Sequence, residues 1–467
     1  MADYSVILQS PTFRAVVQEN ALDRFWSDAL YPMVLFRAEA RDEKWDAQVG
    51  DNKTFTGKGL MQTSQIPLVP GQDPLPLDYP VEQWTALMQQ LSGTIDTNMP
   101  TAIVAAVNKL LEDYKQLGLQ AGETMNKLAR YKLFNAADAG WTVANGIHTG
   151  VTSLVVKRLN GFTRARRPDL AAGSPVRYDF VTANNPLAII VNAVAVNVVG
   201  FTPDVAGDEL GPGTLLLSAA VTVADRDPVR ATTRTFRVIS GGGNATDALT
   251  PGTDILHLAE IRAAVTRFRM QSVPTLGDGT FHLHLDPAAE GQLFSDNEFQ
   301  RLNIGTLSEG TWYKDFAIAK LGGCTFYQNN QCPLPENVKP GGLTATFSAI
   351  DPIAGELWTN GSASTGSIVH RAILIGKDAL NEYYADQAQL ETEAGITGTV
   401  KKGANVTNNG FEISVDRIRV INRAPLDRLQ QNVSTTWSFM GDFVTRTDGA
   451  TGDAAVQKRV VGILHSD

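Results

Sequence analysis

Charged residues, cysteines and long apolar runs are all scarce in this chain of 467 residues. Charged side chains make up 19% of the sequence, against about 25% in a typical soluble protein. A low charge content indicates that much of the protein surface contacts other protein chains. The net charge of −9 excludes a predominantly basic nucleic-acid clamp.

The few apolar runs and the two cysteines also exclude several classes of protein. The first residues lack a basic region followed by an apolar core, so no secretory signal is predicted. The longest apolar run, residues 187–199, contains Asn192 and Asn197 and is shorter than the ~20 residues of a membrane-spanning helix. Cys324 and Cys332 are too few for a four-cysteine zinc site. A disulfide between them is geometrically possible, but two reduced thiols are the preferred interpretation.

The sequence contains no phosphate-binding loop, no nucleophile elbow and no His-Glu-x-x-His motif. The one pattern that suggests catalysis is His282-Leu283-His284-Leu285-Asp286, because alternation along a strand puts the two histidines and Asp286 on one face. A metal-dependent hydrolase using His282, His284 and Asp286 is therefore the alternative function. A structural strand with its apolar residues inward is the preferred interpretation, and no metal or cofactor is expected. The basic cluster Arg164, Arg166 and Arg167 is interpreted as a solvated loop.

One long amphipathic helix is predicted over residues 98–134. Asn98 or Thr97 would cap it, and Pro100 fits its first turn. Gly118 and Gly122 are weak points that would bend or break it. The apolar positions recur every three or four residues on one stripe: Ile103, Val107, Leu110, Tyr114, Leu117, Ala121, Met125 and Leu128.

The remaining segments predict an α+β protein with an inserted β-rich domain. Five strands between residues 151 and 240 predict a small sandwich or barrel. Helices are predicted over residues 12–30, 256–270 and 376–388. Further strands are predicted over residues 280–285, 316–321, 372–375, 411–422, 435–443 and 459–464.

Residues 41–81 predict an extended hairpin, because short alternating segments surround several glycines and a proline-rich stretch follows. Lys53, Thr56, Lys58 and Thr63 are expected near its tip. Long excursions of this kind are typical of functional arms or lids.

In the order of its elements and in several short sequence motifs, the chain resembles the major capsid proteins of tailed bacteriophages, which share the Hong Kong 97 fold. The similarity is to the podophage-like coat proteins and extends over nearly the whole chain. The inserted region departs from the minimal family pattern. The motifs that carry the resemblance are residues 64–67 (SQIP), 277–287 (GDGTFHLHLDP), 295–302 (SDNEFQRL), 370–380 (HRAILIGKDAL) and 423–429 (RAPLDRL).

The resemblance implies a division of the chain into the parts of that fold. Residues 312–467 would form the axial domain, with the C-terminal strands returning to the peripheral domain. The preceding parts would be an N-terminal arm (1–42), an extended E-loop (43–92), the spine helix and start of the peripheral domain (93–150), the inserted β-rich domain (151–245) and the rest of the peripheral domain (246–311).

The resemblance also implies the function: a coat subunit without catalytic activity that assembles with itself into hexamers and pentamers of an icosahedral head. The partners would be other copies, packaged double-stranded DNA through weak non-specific contacts, portal and scaffolding proteins, and in some systems a decoration protein, with no membrane. Assembly would take place in the bacterial host cytoplasm, and the final location would be the virion capsid. An encapsulin-like cellular shell is a further alternative.

The E-loop residues proposed to contact neighbouring subunits are Lys53, Thr56, Lys58 and Met61. Some relatives join their subunits through a Lys–Asn isopeptide bond. Lys53 and Lys58 lie in the matching loop, but the sequence identifies no acceptor and no activating acid. No cross-link is therefore expected.

Overall fold

The computed structural model describes residues 35–45, 50, 52–58, 71, 73, 81–98, 109–137, 139–166, 178–191, 194–206, 211–225, 227–232, 237–240, 252–306, 320–329, 332, 370–385, 411–415, 417–423, 431–445 and 459–466. The helix predicted over residues 12–30 lies outside these ranges, as does Met61. Within these ranges, no helix is both long enough and apolar enough to cross a membrane.

The described residues form an α+β protein, as predicted, with more strand than helix. The α-helices are α1 (Lys109–Ala137), α2 (Leu258–Met270), α3 (Pro287–Ser295) and α4 (Asn297–Thr306). The strands are β1 (Ala40–Lys44), β2 (Asn52–Lys58), β3 (Val81–Leu87), β4 (Gln89–Asn98), β5 (Trp141–Val143), β6 (His148–Val156), β7 (Arg164–Arg166), β8 (Tyr178–Phe180), β9 (Leu187–Val191), β10 (Val194–Pro203), β11 (Gly213–Val223), β12 (Pro228–Ala231), β13 (Arg237–Ile239), β14 (Phe281–Leu285), β15 (Lys320–Leu321), β16 (Cys324–Gln328), β17 (His370–Ile375), β18 (Leu380–Tyr384), β19 (Phe411–Val415), β20 (Ile418–Arg423), β21 (Asn432–Thr445) and β22 (Val460–His465).

The chain divides into two compact units, the first of which comprises residues 1–55, 85–132 and 380–444. Its six-stranded sheet has the order β1-β18-β21-β20-β19, and β4 also pairs with β21. β1 runs parallel to β18, whereas β4 runs antiparallel to β21 from Gln89–Gly441 to Asn98–Asn432. The sheet therefore joins segments more than 300 residues apart in sequence.

Helix α1 confirms the predicted amphipathic helix from Lys109 onward, and residues 99–108 of the prediction lie outside the described ranges. The 29 residues of α1 are continuous through Gly118 and Gly122, so neither glycine breaks it. Tyr114, Leu117, Ala121 and Met125 of the predicted stripe are buried. Lys127 forms an ion pair one helical turn away with Glu123, at 2.7 Å.

The residues that the predicted cap would serve, 99–108, lie outside the described ranges, so the capping role of Thr97 and Asn98 stays a prediction. Asn98 is the last residue of β4, and its side-chain amide donates to Asn432 Oδ1 at 3.0 Å. Thr97 donates its hydroxyl proton to Asp113 Oδ2 at 2.6 Å. Pairing with β21 has extended the strand to residues that locally resemble a helix start.

The second unit comprises residues 56–84, 133–379 and 445–467 and contains the predicted insertion. A six-stranded sheet has the order β5-β12-β9-β10-β11-β6. A bridge between Ala144 and Val156 joins its two end strands, so the sheet closes into a small barrel. Buried side chains such as Leu154, Ile189, Val198 and Leu215 fill the interior. The barrel begins with β5, ten residues before the expected boundary at residue 151.

The same unit contains a second six-stranded sheet, β13-β22-β17-β14-β16-β15. Phe281, Leu283 and Leu285 of β14 belong to one core cluster with Ile261 and Phe268 of α2. The inward orientation predicted for the three apolar residues of this strand is confirmed.

The helix predicted over residues 376–388 is wrong. Residues Leu380–Tyr384 form strand β18, which lies between β1 and β21. Its first four residues are all buried. Leu380 and Tyr384 are four residues apart, a spacing that also suits one face of a helix, so the local pattern does not distinguish the two conformations. The neighbours of β18 in the sheet decide its conformation.

Candidate functional site

Strands β2 and β3 pair in a two-stranded sheet of their own, and this hairpin overlaps the extended hairpin predicted over residues 41–81 only in part, because β3 begins at Val81. Lys53 lies at the second position of β2, far from the connection at residues 59–80, and not near the tip as expected. Thr56 and Lys58 are further along β2, and only their backbone is described. Of the four proposed contact residues, Lys53 alone therefore has a described side chain.

An aromatic cluster packs against the start of this hairpin. The ring of Phe55 stacks on Tyr383 with centroids 4.1 Å apart, and Trp45 contacts both rings edge-on at 6.5 Å. Ala86 of β3 is fully buried in the same cluster. Lys53 Nζ lies 5.2 Å from the Phe55 centroid and 6.0 Å from that of Trp45, within cation–π range. One end of the hairpin is thus anchored by its own chain, and Lys53 takes part in that anchor.

Buried ion pairs hold β1, the strand that precedes the hairpin. Arg37 donates to both carboxylate oxygens of Glu382 at 2.6–3.1 Å, and both side chains are almost fully buried. Arg417 donates to Glu382 at 2.9 Å and also to Asp42. One buried carboxylate is therefore shared by two guanidinium groups. This arrangement fixes β1 against β18 and thereby orients the chain that enters the hairpin.

The three residues of the candidate metal site have separate partners. Asp286 caps α3 by accepting from the Ala289 N–H at 3.2 Å, and its other oxygen lies 2.5 Å from His370 Nδ1. The ring of His370 stacks on His465 with centroids 5.3 Å apart. Burial acts to raise the pKa of Asp286, but hydrogen bonding and charge from His370, together with the charge of His465, outweigh it and lower that pKa. Asp286 is thus a capping and pairing group.

The two histidines of β14 have different surroundings from Asp286. His284 is buried, stacks on Tyr327 and hydrogen-bonds Asn329 at 3.3 Å. His282 Nε2 lies 3.6 Å from Asp278, whose pKa is lowered mainly by the hydrogen bond from the Thr280 hydroxyl. The described residues contain no group of three or more His, Cys, Asp and Glu placed to hold a metal. The hydrolase alternative therefore has no ligand set in this part of the chain.

Sequence reasoning missed the partners of Asp286. His370 and His465 lie 84 and 179 residues further along the chain and carry no local motif. They meet Asp286 because β17 pairs with both β14 and β22 in one sheet. Only the strand order could have identified them.

The remaining candidates are structural. Cys324 and Cys332 are buried thiols, in agreement with the preferred interpretation, and burial raises the pKa of Cys324 to about 12 against a smaller opposite effect of Arg269. Cys324 is thus an unreactive thiol at neutral pH. Arg164 and Arg166 belong to strand β7 and not to a loop as predicted, because this segment pairs with β8, and Arg164 stacks over Phe180 at 4.6 Å. Of the other two arginines in that cluster, Arg166 has only its backbone described, and Arg167 lies outside the described residues.

Comparison with known proteins gives phage capsids. No protein-family model and no curated protein sequence matches the chain. The chain is similar to the capsid of Ralstonia phage GP4, with 11% identity over 91% of this chain and 86% of that one and a TM-score of 0.43. It is also similar to the capsid of cyanophage Pam1, with 9% identity over 94% and 91% of the two chains and a TM-score of 0.47. It is similar as well to the capsid of cyanophage P-SCSP1u, with 11% identity over 92% of this chain and 88% of that one and a TM-score of 0.45.

Proposed function

We propose that this chain is the coat subunit of a tailed bacteriophage head and assembles with itself into an icosahedral shell around double-stranded DNA. In this proposal the subunits form hexamers and pentamers, and the shell also meets portal and scaffolding proteins. The role is structural and includes no catalysis. Residues 43–92 would be the E-loop that contacts a neighbouring subunit.

The observation that carries the proposal is the separate hairpin of β2 and β3. Among the described residues, neither strand joins any of the three six-stranded sheets. A lone two-stranded hairpin is marginally stable in water, so it needs a surface to pack on. The aromatic cluster supplies such a surface at Phe55 and Ala86, at one end of the hairpin. A neighbouring subunit would supply it for the rest.

Two features of the sequence agree with this function. The low charge content suits a protein with extensive contacts to other copies, since interface cores are depleted of charged residues. The order hairpin, long helix, body and inserted β domain is the order on which the resemblance to coat proteins depends. Obligate assemblies of this kind bury roughly 2,000 Å² or more per contact.

The test must leave the aromatic anchor intact. Deleting the whole first strand would remove Phe55, which stacks on Tyr383, so the protomer itself would be destabilised. Residues 59–80 can instead be replaced by a short Gly-Ser linker that retains β2, β3 and the cluster. We expect a protomer with unchanged thermal unfolding that forms no stable shells in electron micrographs.

A matched control changes the same connection without shortening it. Asp73→Ser alters one exposed position there and should assemble like the wild type. Normal particles from the shortened variant would contradict the proposed role of the hairpin. Particles that enclose cargo protein and no DNA would favour the cellular-shell alternative.

A further inference from the structure

Four adjacent strands of the barrel contain no charged residue. Strands β9, β10, β11 and β6 are neighbours in that order and are 5, 10, 11 and 9 residues long. None of these positions is Asp, Glu, Lys or Arg. Charged residues make up 19% of the whole chain, so their absence from four strands is unexpected, because one side of these strands faces away from the core.

The outward residues of these strands form one continuous surface, which we call the neutral face. The interior side chains alternate with outward residues that are small, polar or apolar. Ala195 pairs with Ile190, and Leu216 lies opposite both Gly200 and Ser153. The neutral face consists of Ser153, Val155, Ala188, Ile190, Ala195, Asn197, Thr214, Leu216 and Ser218.

The part of the chain that contains the barrel, residues 141–231, also carries most of the exposed large apolar side chains in the described residues. Eight such side chains are exposed, and five of them lie between residues 141 and 231: Ile147, Phe180, Val194, Val205 and Leu216. Leu216, 42% exposed, is the one at the centre of the neutral face. Exposed apolar groups on an uncharged background are typical of an interaction surface.

We propose that the neutral face is a contact between inserted barrels of two copies of this chain. Each copy has a net charge of −9, so like charges on two copies repel each other, and salt screening makes this repulsion smallest where the facing surfaces carry no charge. Placing one neutral face on another brings no like charges together and requires no buried ion pair. An isologous contact of this kind uses the same residues on both sides.

The size of the face sets the strength of the contact. Four strands about 4.8 Å apart, each contributing five to eight residues, cover roughly 300–500 Å². A stable interface usually buries about 800 Å² per partner. The contact is therefore weak for an isolated pair and becomes significant when a shell holds many copies side by side. In this respect the inference rests on the proposed function.

Opposite charges at Leu216 test the contact in the full-length chain. Leu216→Glu and Leu216→Lys would each place like charges against each other across the contact, so each should yield at least tenfold fewer particles in sedimentation and electron microscopy. An equimolar mixture should recover particles, because unlike charges then meet. The pair Ser153→Asp and Ser153→Lys repeats the test at an exposed position opposite Leu216, where no apolar packing is lost.

Met270→Glu is the matched control, because Met270 is 81% exposed at the end of α2, away from the barrel strands. It should assemble like the wild type. Leu216 variants that assemble like Met270→Glu would overturn the inference, and so would a mixture that does not recover particles. If the wild type forms no particles at all, the proposed function fails. The inference is then judged by sedimentation equilibrium at the highest soluble protein concentration, where a weak pair still associates. The absence there of a dimer that Leu216→Glu abolishes would overturn it.

Discussion

Asp286 has two roles, because it caps α3 and pairs with His370. The contacts with His370 hold the pKa of Asp286 below its usual value. An ionised Asp286 therefore stabilises the folded chain above about pH 4, where an unfolded aspartate is also ionised, for as long as His370 keeps its proton. That stabilisation is lost as the pH falls through the lower pKa of the folded state.

Asp286→Asn separates the cap from the charge, since asparagine caps helices as well as aspartate does. At pH 7 we expect the substitution to lower the free energy of unfolding by about 2–4 kcal/mol, because it removes a buried charged partner of His370. Below pH 4 the variant should lose stability less steeply than the wild type. Urea unfolding between pH 2 and 7 measures both effects. The exposed carboxylate of Asp204 supplies the control variant Asp204→Asn, and equal slopes for all three proteins would refute this account.

Arg417 occupies a backbone conformation that favours glycine, with φ of 69° directly before β20. Its guanidinium group nevertheless binds Glu382 and Asp42. Two effects of similar size therefore oppose each other. A left-handed residue other than glycine costs about 1–2 kcal/mol, and a hydrogen bond to a charged group contributes about 1.5–3 kcal/mol.

We expect Arg417→Gly to lower the free energy of unfolding by about 1 kcal/mol, because the ion pair outweighs the backbone relief. In a Glu382→Gln background the same change should be neutral or stabilising. Urea unfolding of the four proteins completes the cycle. A stabilised Arg417→Gly single variant would show that the residue serves the turn alone.

Elements far apart in sequence are matched to each other at single positions. Gly93 of β4 lies opposite Trp437 of β21 in the register. The Trp437 ring N–H donates to Gln120 Oε1 of α1 at 3.1 Å. A Cβ at position 93 would lie 2.5 Å from both of these atoms. The absence of a side chain at Gly93 thus lets a strand, a second strand and a helix meet.

Gly93→Ala should destabilise the chain by about 1–3 kcal/mol, because Trp437 is buried and cannot move aside. The comparison variant is Gly291→Ala in α3, where the added Cβ would meet nothing within 4 Å. That change should stabilise by up to about 1 kcal/mol through helix propensity. Thermal unfolding of both variants should give shifts of opposite sign. An unfolding temperature of Gly93→Ala that is not lower than that of the wild type would contradict the role given to Gly93.

At the level of the complete chain, both compact units are assembled from three separated segments. β1 pairs with β18, and β13 pairs with β22, so neither sheet can close until late parts of the chain are present. The proposed shell extends this pattern from one chain to many. The hairpin and the neutral face are the two surfaces for which we infer that a second copy completes the packing.

Local patterns were sufficient wherever the determining contacts lie close in sequence. The apolar stripe of α1, the alternation in β14 and the run of barrel strands all follow from a period of 3.6 or 2 residues, which each segment carries within itself. The α+β class was likewise predictable. The same patterns did not decide between a sandwich and a barrel. The barrel is closed by the bridge between Ala144 and Val156, and no sequence pattern marks that pair.

Long-range pairing decided the rest, and it often overrode the local pattern. Leu380–Tyr384 became a strand because β1 and β21 lie on either side of it. Asn98 ended a strand because β21 offered it a partner. His370 and His465 met Asp286 through the strand order. In each case the free energy comes from burial and hydrogen bonds between segments distant in sequence, which no window of neighbouring residues contains.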